Sequence, residues 1–231
     1  ICGVCVKVPV AAVICAVICV LTLAMAVYMF VCHEKFAFGK GNMMAGVHKY
    51  LVDHLEWDGN GQMLDIGCGA AALTVRCAKA FPKAKIKAMD YWGAQWNYAK
   101  EQCERNAKLE GVSDHITFQK GDAAKLDYAD ETFDAAVSNF VFHEVHSAKD
   151  KRDVVREALR VVKKGGAFSF QDMFSQKALY GNMDEFVESL KADGISEIHY
   201  IGNLEKKLDF IPGYVSAPWM ISGMGIIYGR K

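Results

Sequence analysis

Apolar residues along most of the chain recur with two periods, one typical of strands and one typical of helices. Short runs that are apolar or alternate with polar residues predict seven strands, whereas longer stretches with apolar positions three or four residues apart predict helices. Strands alternating with helices favour an α/β fold, a doubly wound, mostly parallel sheet with helices on both faces. The predicted strands are the stretch around Leu64 and residues 85–90, 116–120, 133–139, 167–172, 195–201 and 225–229.

Helices are predicted between these strands, each ended by a glycine, a proline or a polar turn. The stretch 94–110 places Trp96, Ala99, Cys103 and Ala107 on one face, and Gly111 follows it. The Lys-Lys-Gly-Gly sequence at 163–166 is predicted to cap the helix before the fifth strand. The predicted helices are residues 43–55, 71–81, 94–110, 150–162 and 183–192.

The N-terminal stretch differs in kind, because no charged residue occurs between Val8 and Cys32. As a helix these residues reach about 37 Å, which is enough to cross a hydrocarbon core of about 30 Å with some tilt. We predict a transmembrane helix. A signal peptide is the alternative, since the Ala-Met-Ala sequence at 24–26 resembles a cleavage site, but the apolar run continues to Cys32.

Charges on either side of this stretch predict its orientation. Lys35, Lys40 and Lys49 follow it and Lys7 precedes it, which places the globular part on the cytoplasmic side of the membrane. The domains expected are a membrane span at 1–32, a linker and helix at 33–61, and a catalytic domain at 62–231. The chain begins at Ile1 and not at Met, so what precedes it stays open.

Composition narrows the function classes. The chain has 231 residues, 52% of them hydrophobic, which suffices for one catalytic domain with a sizeable core. Its formal net charge of zero gives no basic field for a nucleic-acid partner. Of the 8 cysteines, those in the apolar N-terminus act as small hydrophobic residues and the rest have no regular spacing. We therefore expect reduced thiols, no disulfide framework and no metal site; the sequence leaves the oligomeric state open.

The sequence Gln-Met-Leu-Asp-Ile-Gly-Cys-Gly at 62–69 is the strongest local signal. A strand leads into a glycine turn and then into an alanine-rich helix, where the free N–H groups of the first turn favour an anionic ligand. The spacing of Gly67, Gly69 and Ala72 fits the loose dinucleotide pattern. A nucleotide-like cofactor is therefore expected, and a nicotinamide-dependent dehydrogenase is one candidate enzyme.

Acidic residues follow three successive predicted strands. Asp65 and Asp90 lie at the ends of the first two, and Asp122 follows the third. Open α/β sheets bind ligands at the carboxyl ends of their strands, where Asp90 can accept both hydroxyls of a ribose. A dehydrogenase shares the first two acids, but the third acid, the late seventh strand and the lack of a Tyr-x-x-x-Lys pair favour a different enzyme.

These motifs, together with three further ones, resemble the class I S-adenosylmethionine-dependent methyltransferases. The further ones are Phe133-Asp134, Ser138-Asn139 and the Leu-Arg-Val-Val-Lys-Lys-Gly-Gly sequence at 159–166. The resemblance implies a Rossmann-like fold, S-adenosylmethionine as the cofactor, Asp90 on its ribose and Asp122 on its adenine amino group. One departure is Ala71, which stands where the family often has a third glycine. The expected cofactor-binding residues are Asp65, Gly67, Cys68, Gly69, Asp90, Tyr91, Gly121, Asp122, Ala123, Asn139 and Phe140.

His143 and Glu144 are the candidate catalytic residues. The sequence His-Glu-Val-His is not the zinc-protease signature, because its histidines are three residues apart. A neutral His143 can accept a proton from the acceptor near neutral pH. The alternative is that both residues only orient their loop or hold the amino group of the cofactor.

The acceptor is expected to be small and lipophilic. The stretch 208–224 is apolar and contains two prolines, so it suits a loop that covers an apolar substrate, contacts the bilayer or simply packs under a crossover. With the membrane span, this favours an enzyme similar to the methyltransferases of quinone biosynthesis. A membrane-tethered scaffold that binds the cofactor without turnover is the alternative from another class.

Overall fold

The computed structural model describes residues 9–37, 42–93 and 97–231, with backbone alone at 97–99. The chain divides into two compact units, residues 1–45 and 46–231. Several features of the sequence prediction lie outside the described part. These are Lys7, Lys40, Trp96 and the side chain of Ala99.

The larger unit contains a sheet of seven strands in the order β3-β2-β1-β4-β5-β7-β6. Neighbouring strands from β3 to β5 are parallel, and β7 runs antiparallel to both β5 and β6. The doubly wound, mostly parallel seven-stranded sheet is thus confirmed. The strands are β1 Gln62–Ile66, β2 Lys85–Asp90, β3 Ile116–Lys120, β4 Phe133–Asn139, β5 Val162–Asp172, β6 Glu197–Gly202 and β7 Gly225–Arg230.

Helices cover both faces of the sheet because the strands are apolar on both sides. Along β1, Leu64 and Ile66 belong to one buried cluster and Met63 belongs to the cluster on the other face. The predicted helices begin and end within four residues of their predicted bounds, whereas the short helix α6 was not predicted. The helices of the described part of the chain, in both units, are α1 Val10–Phe36, α2 Met43–Asp53, α3 Ala72–Ala80, α4 Asn97–Leu109, α5 Lys151–Arg160, α6 Lys177–Tyr180 and α7 Met183–Ala192.

The prediction for residues 163–166 is wrong, because they lie within β5 instead of capping α5. The N–H of Gly165 donates to the carbonyl of Lys231 at 2.6 Å, and the N–H of Lys231 donates to Gly166 at 3.0 Å. The C-terminus of the chain therefore extends the ladder past the end of β7. Such a pairing over 65 residues leaves no local signal in a Lys-Lys-Gly-Gly sequence.

Helix α1 is the one described helix that is long and apolar enough to cross a membrane. It has 27 residues and a mean hydropathy of 2.9 over its most apolar window. Within this helix the hydroxyl of Thr22 donates to the carbonyls of Ile18 and Cys19. This polar group is therefore paired inside the helix and does not remain unpaired on its apolar surface. The helix continues four residues past Cys32, the predicted end of the span, to Phe36.

Candidate active site

The glycine turn after β1 is held onto the end of β2. The N–H groups of Gly67 and Cys68 both donate to the carbonyl of Met89, at 2.8 and 3.0 Å. Gly67 has a φ of +74°, and a Cβ placed on it would lie 2.3 Å from the Val141 side chain. Gly69 has a φ of +54° with no atom within 4 Å of the same position. The first glycine is therefore required by packing, and the second leaves open space beside the backbone.

Ala71 adopts the left-handed conformation that its position in the turn demands. Its φ is +69°, and its backbone stands at the N-cap of α3. An L-residue in this conformation costs about 1–2 kcal/mol relative to glycine. The Ala71 side chain is fully buried, however, and burying one methyl group returns about 0.8 kcal/mol. The turn therefore accommodates alanine in the third position, with its backbone in a left-handed conformation.

Asp90, the last residue of β2, faces the glycine turn. Its Oδ2 accepts the N–H of Gly69 at 2.8 Å, and its Oδ1 accepts the N–H of Trp92 at 3.1 Å. Each carboxylate oxygen has two acceptor positions, so one on each oxygen remains for a ligand. Asp90 thus both fixes the turn and offers two acceptors at the carboxyl edge of the sheet.

Asp122 follows β3 at the same edge. Its Oδ1 accepts the N–H of Ala124 at 2.9 Å and the hydroxyl of Ser147 at 3.0 Å. This second contact ties the turn after β3 to the segment after β4. Nearby, the ring of Tyr91 is largely exposed, and the Lys120 ammonium lies 5.8 Å from its centroid.

These strand ends surround a cleft of about 540 Å³. Ten residues that the sequence singled out line it, which are Gly67, Gly69, Asp90, Tyr91, Gly121, Asp122, Ala123, Asn139, Phe140 and Glu144. Five further lining residues were not among the predicted site residues, and they are Met89, Val141, Val145, His146 and Ser147. Four of these five belong to the segment directly after β4, so their position next to a strand end was the available signal.

Asp65 and Cys68 lie behind the wall of this cleft and do not line it. The Asp65 carboxylate is fully buried and accepts the hydroxyl of Thr74, in the first turn of α3, at 2.5 Å. Burial raises the pKa of Asp65 to about 7, against the lowering effect of the Thr74 hydrogen bond. Hydrogen bonding with Cys103 and burial raise the pKa of the Cys68 thiol. Both side chains therefore hold the turn in place from inside the protein.

His143 is paired with Asp172, a residue that the sequence analysis did not select. The Nδ1 of His143 lies 2.7 Å from Asp172 Oδ1, and its Nε2 lies 3.2 Å from Glu144 Oε1. Asp172 is fully buried at the end of β5 and also accepts the N–H groups of Phe142 and Met173. Its position as the last residue of a predicted strand was the only signal for it.

The pKa of His143 reflects two opposing effects. Burial lowers the pKa, but the hydrogen bond and the charge of Asp172 raise it by a larger amount. The pKa therefore lies above the ordinary value of 6.5. A histidine whose pKa is raised on folding stabilises the folded state fully below its unfolded pKa, and this stabilisation is lost as the pH rises through the folded pKa.

Asp172→Asn is expected to lower the pKa of His143, because the amide removes the negative charge. The free energy of unfolding of the wild type should decrease as the pH rises from about 6 to 8, and this decrease should be smaller in the variant. Urea denaturation at several pH values measures the slope. Asp184→Asn, on the first turn of α7, is the control. An equal slope in wild type and Asp172→Asn would contradict the pairing.

The sequence of this chain is similar to those of known methyltransferases. Residues 64–170 match the family described as "Methyltransferase domain". Norajmaline N-methyltransferase of Rauvolfia serpentina is 29% identical over 57% of this chain and 40% of the relative. Sterol 24-C-methyltransferase of Aspergillus fumigatus is 31% identical over 52% and 29%. Demethylmenaquinone methyltransferase of Alkalihalophilus pseudofirmus is 33% identical over 45% and 41%. The chain thus spans less than half the length of these three relatives.

Solved structures share the fold. Geranyl diphosphate methyltransferase in complex with S-adenosylmethionine superposes with a TM-score of 0.60 at 16% identity, over 86% of this chain and 94% of the other. The cyclase SpnF superposes with a TM-score of 0.58 at 19% identity, over 80% and 79%. These identities show the fold alone, and the second structure shows that the fold also serves a reaction other than methyl transfer.

The dehydrogenase alternative finds no support in these comparisons. The family match covers the strands that carry the glycine turn, Asp90 and Asp122, and the relatives described above are all named methyltransferases. The antiparallel β7, inserted between β5 and β6, completes the sheet. Residues 64–170 therefore carry a methyltransferase domain, and the sheet has the Rossmann-like fold of the S-adenosylmethionine-dependent methyltransferases.

Proposed function

We propose that this protein transfers a methyl group from S-adenosylmethionine to a small, lipophilic acceptor. The observation that carries the proposal is the cleft at the carboxyl edge of the sheet, where Gly69, Asp90 and Asp122 meet. Open space beside the Gly69 backbone and unused acceptor positions on Asp90 fit a nucleoside. A cofactor of this class supplies an activated methyl group on a sulfonium, with a neutral thioether as the leaving group.

Within this proposal each wall residue has a role. Asp90 accepts the ribose hydroxyls, Asp122 accepts the adenine amino group, and the exposed ring of Tyr91 covers the adenine. Asn139 and Phe140, at the end of β4, border the methyl group. Phe140 has a φ of +55°, a strained conformation of the kind found at binding sites, and its N–H donates to the Gln171 carbonyl at 2.8 Å.

Methyl transfer requires little of the protein beyond positioning of the two reactants. The acceptor and the methyl group must be held in line and water must be excluded, because the leaving group is already activated. We propose that Glu144, in the cleft wall, receives the proton of the acceptor and shares it with His143 at 3.2 Å. Asp172 accepts the Nδ1–H of His143 and stabilises its protonated form.

Two observations support a lipophilic acceptor. Relatives of this chain are named as methyltransferases of sterols and of demethylmenaquinone. In addition, the segment after β6 exposes the aromatic side chains of Phe210, Tyr214 and Trp219, a composition suited to an apolar ligand or a lipid surface.

We further propose that α1 anchors the protein as a single transmembrane span with the catalytic domain in the cytoplasm. Supporting this are the length and apolarity of α1 and the lysines that follow it. After alkaline carbonate extraction of cells that express the full chain, the protein should stay in the membrane fraction. Replacement of Ile14, Ile18 and Leu21 together by lysine should release it. Release of the unmodified chain, or cleavage near residues 24–26, would contradict the anchor.

The function is tested with detergent-solubilised full chain, methyl-labelled S-adenosylmethionine and a membrane lipid extract. Label should appear in a lipid fraction, and S-adenosylhomocysteine, the product of transfer, should inhibit its appearance. Calorimetry with S-adenosylhomocysteine is run in parallel. Binding without transfer to any fraction would favour the scaffold alternative, and absence of binding would contradict the cofactor assignment itself.

A further inference from the structure

Behind the cleft, α2 and the ends of β4 and β5 bring three polar side chains together, His48, Asn139 and Gln171. His48 is 4% exposed, and its Nε2 lies 3.4 Å from the Nδ2 of Asn139. Asn139 and Gln171 are paired residues on neighbouring parallel strands, so their side chains point to the same face of the sheet. The Ser169 hydroxyl donates to the Leu51 carbonyl at 2.8 Å, which fixes α2 over this face. We call these three residues the His48 cluster.

Four polar atoms of the His48 cluster are buried and have no hydrogen-bond partner among the described residues. They are His48 Nδ1, Asn139 Oδ1, and Nε2 and Oε1 of Gln171. A buried polar group without a partner costs about 1–3 kcal/mol, and nearly all such groups in proteins are paired. Four of them at one place, adjoining a cleft through Asn139, indicate that something else completes their hydrogen bonds.

The His48 cluster is electrically neutral and presents both donors and acceptors. Burial and the nearby charge of Arg76 lower the pKa of His48 to about 4, so its ring is neutral near pH 7. If the amide of Asn139 donates to Nε2, then Nδ1 carries the ring proton and donates. The unpaired donors are thus His48 Nδ1 and Gln171 Nε2, and the unpaired acceptors are Asn139 Oδ1 and Gln171 Oε1.

We propose that the His48 cluster is the site that recognises a neutral hydroxyl group of the acceptor. This inference rests on the proposed function. A hydroxyl donates one hydrogen bond and accepts two, so it can pair three of the four unpaired atoms of the cluster. A carboxylate has no proton to donate and leaves both acceptors unpaired, and an ammonium has no lone pair and leaves both donors unpaired. Asn139, shared with the cleft wall, connects the hydroxyl site to the place where the methyl group is transferred.

Such a site is expected to increase the discrimination between acceptors more than the affinity for any one acceptor. A site built to bond a substrate hydroxyl rejects the analogue without it strongly, because the buried partners are then left unpaired. Acceptors that carry a hydroxyl on an apolar framework are therefore expected to be bound, and the corresponding hydrocarbons and acids to be rejected.

The test uses the full chain in detergent, loaded with S-adenosylhomocysteine, and three fluorescent probes on one ring system: 1-naphthol, naphthalene and 1-naphthoate. Wild type is expected to bind naphthol at least 10-fold more tightly than the other two. Gln171→Met removes both amide atoms at similar volume and should reduce this preference to less than about 3-fold. His48→Leu is a second variant with the same expectation.

Ser196→Ala is the control, because the Ser196 hydroxyl donates to the Arg230 carbonyl beside the edge strand β6, away from the His48 cluster. It should keep the naphthol preference. Absence of a preference in wild type, or the same preference in Gln171→Met and wild type, would overturn the inference and leave water as the occupant of the cluster. Failure of S-adenosylhomocysteine to bind wild type would instead overturn the proposed function, and calorimetry separates the two results.

Discussion

Replacing Asp90 by alanine is expected to weaken S-adenosylhomocysteine binding about 100-fold. In the proposed complex the Asp90 carboxylate accepts two ribose hydroxyls, and hydrogen bonds to a charged group contribute about 1.5–3 kcal/mol each. A net loss of about 2.8 kcal/mol corresponds to two factors of ten in the dissociation constant. The variant also loses the contact of Oδ2 with the Gly69 N–H, so the turn itself becomes less well positioned. Isothermal titration calorimetry measures the affinity.

Asp58→Ala provides the control for this experiment. Asp58 lies in the loop before β1, at the opposite edge of the sheet from the cleft, and accepts hydrogen bonds only from Asn60 among the described residues. Its replacement should leave the dissociation constant unchanged. If Asp90→Ala retained wild-type affinity while remaining folded by circular dichroism, the assignment of Asp90 to the ribose would be wrong.

The two glycines of the turn are expected to respond differently to alanine. Gly67→Ala forces a Cβ to 2.3 Å from the Val141 side chain at a φ of +74°, so strain and overpacking add up. We expect a loss of about 2–4 kcal/mol in the free energy of unfolding. Gly69→Ala meets no atom within 4 Å and should cost about 1 kcal/mol, from its φ alone.

The substitution at Gly69, which has the smaller expected effect on stability, should have the clear effect on cofactor binding. Because the space beside Gly69 is where the proposed cofactor approaches the backbone, Gly69→Ala should weaken S-adenosylhomocysteine binding at least about 10-fold while the protein stays folded. Thermal unfolding and calorimetry on the same samples give both quantities. Gly111→Ala, which also meets no atom within 4 Å at a positive φ, controls for strain at a distant turn. Wild-type affinity in Gly69→Ala would argue against close approach at this position.

The elements and the cofactor turn were predictable because their signals are local. Alternating and helical periods of apolar residues identified all seven strands, since a side chain's face is set by its position along its own strand or helix. The glycine turn, Asp90 and Asp122 were predictable as one cleft, because parallel strands bring their carboxyl ends to a common edge. No partner distant in sequence had to be known for these predictions.

The sequence predicted Asp65 as a cofactor-binding residue, and that assignment stays a prediction. A carboxylate before a glycine turn can contact a ligand or anchor the next helix. The structure adds that the packing of α3 against β1 buries Asp65 and pairs it with Thr74, which the sequence alone did not indicate. Similarly, the early start of β5 depends on pairing with Lys231 at the far end of the chain.

By itself the sequence determined the strand and helix pattern, the apolar N-terminal helix and the residues at the strand ends. The tertiary structure decided which side chains meet across the sheet: Asp172 with His143, 29 residues apart, and His48 with Asn139, 91 residues apart. The physical reason is that hydrogen-bond partners and burial depend on which elements pack together. Periodicity records only which face of an element is apolar, and it carries no information about the residues on the facing element.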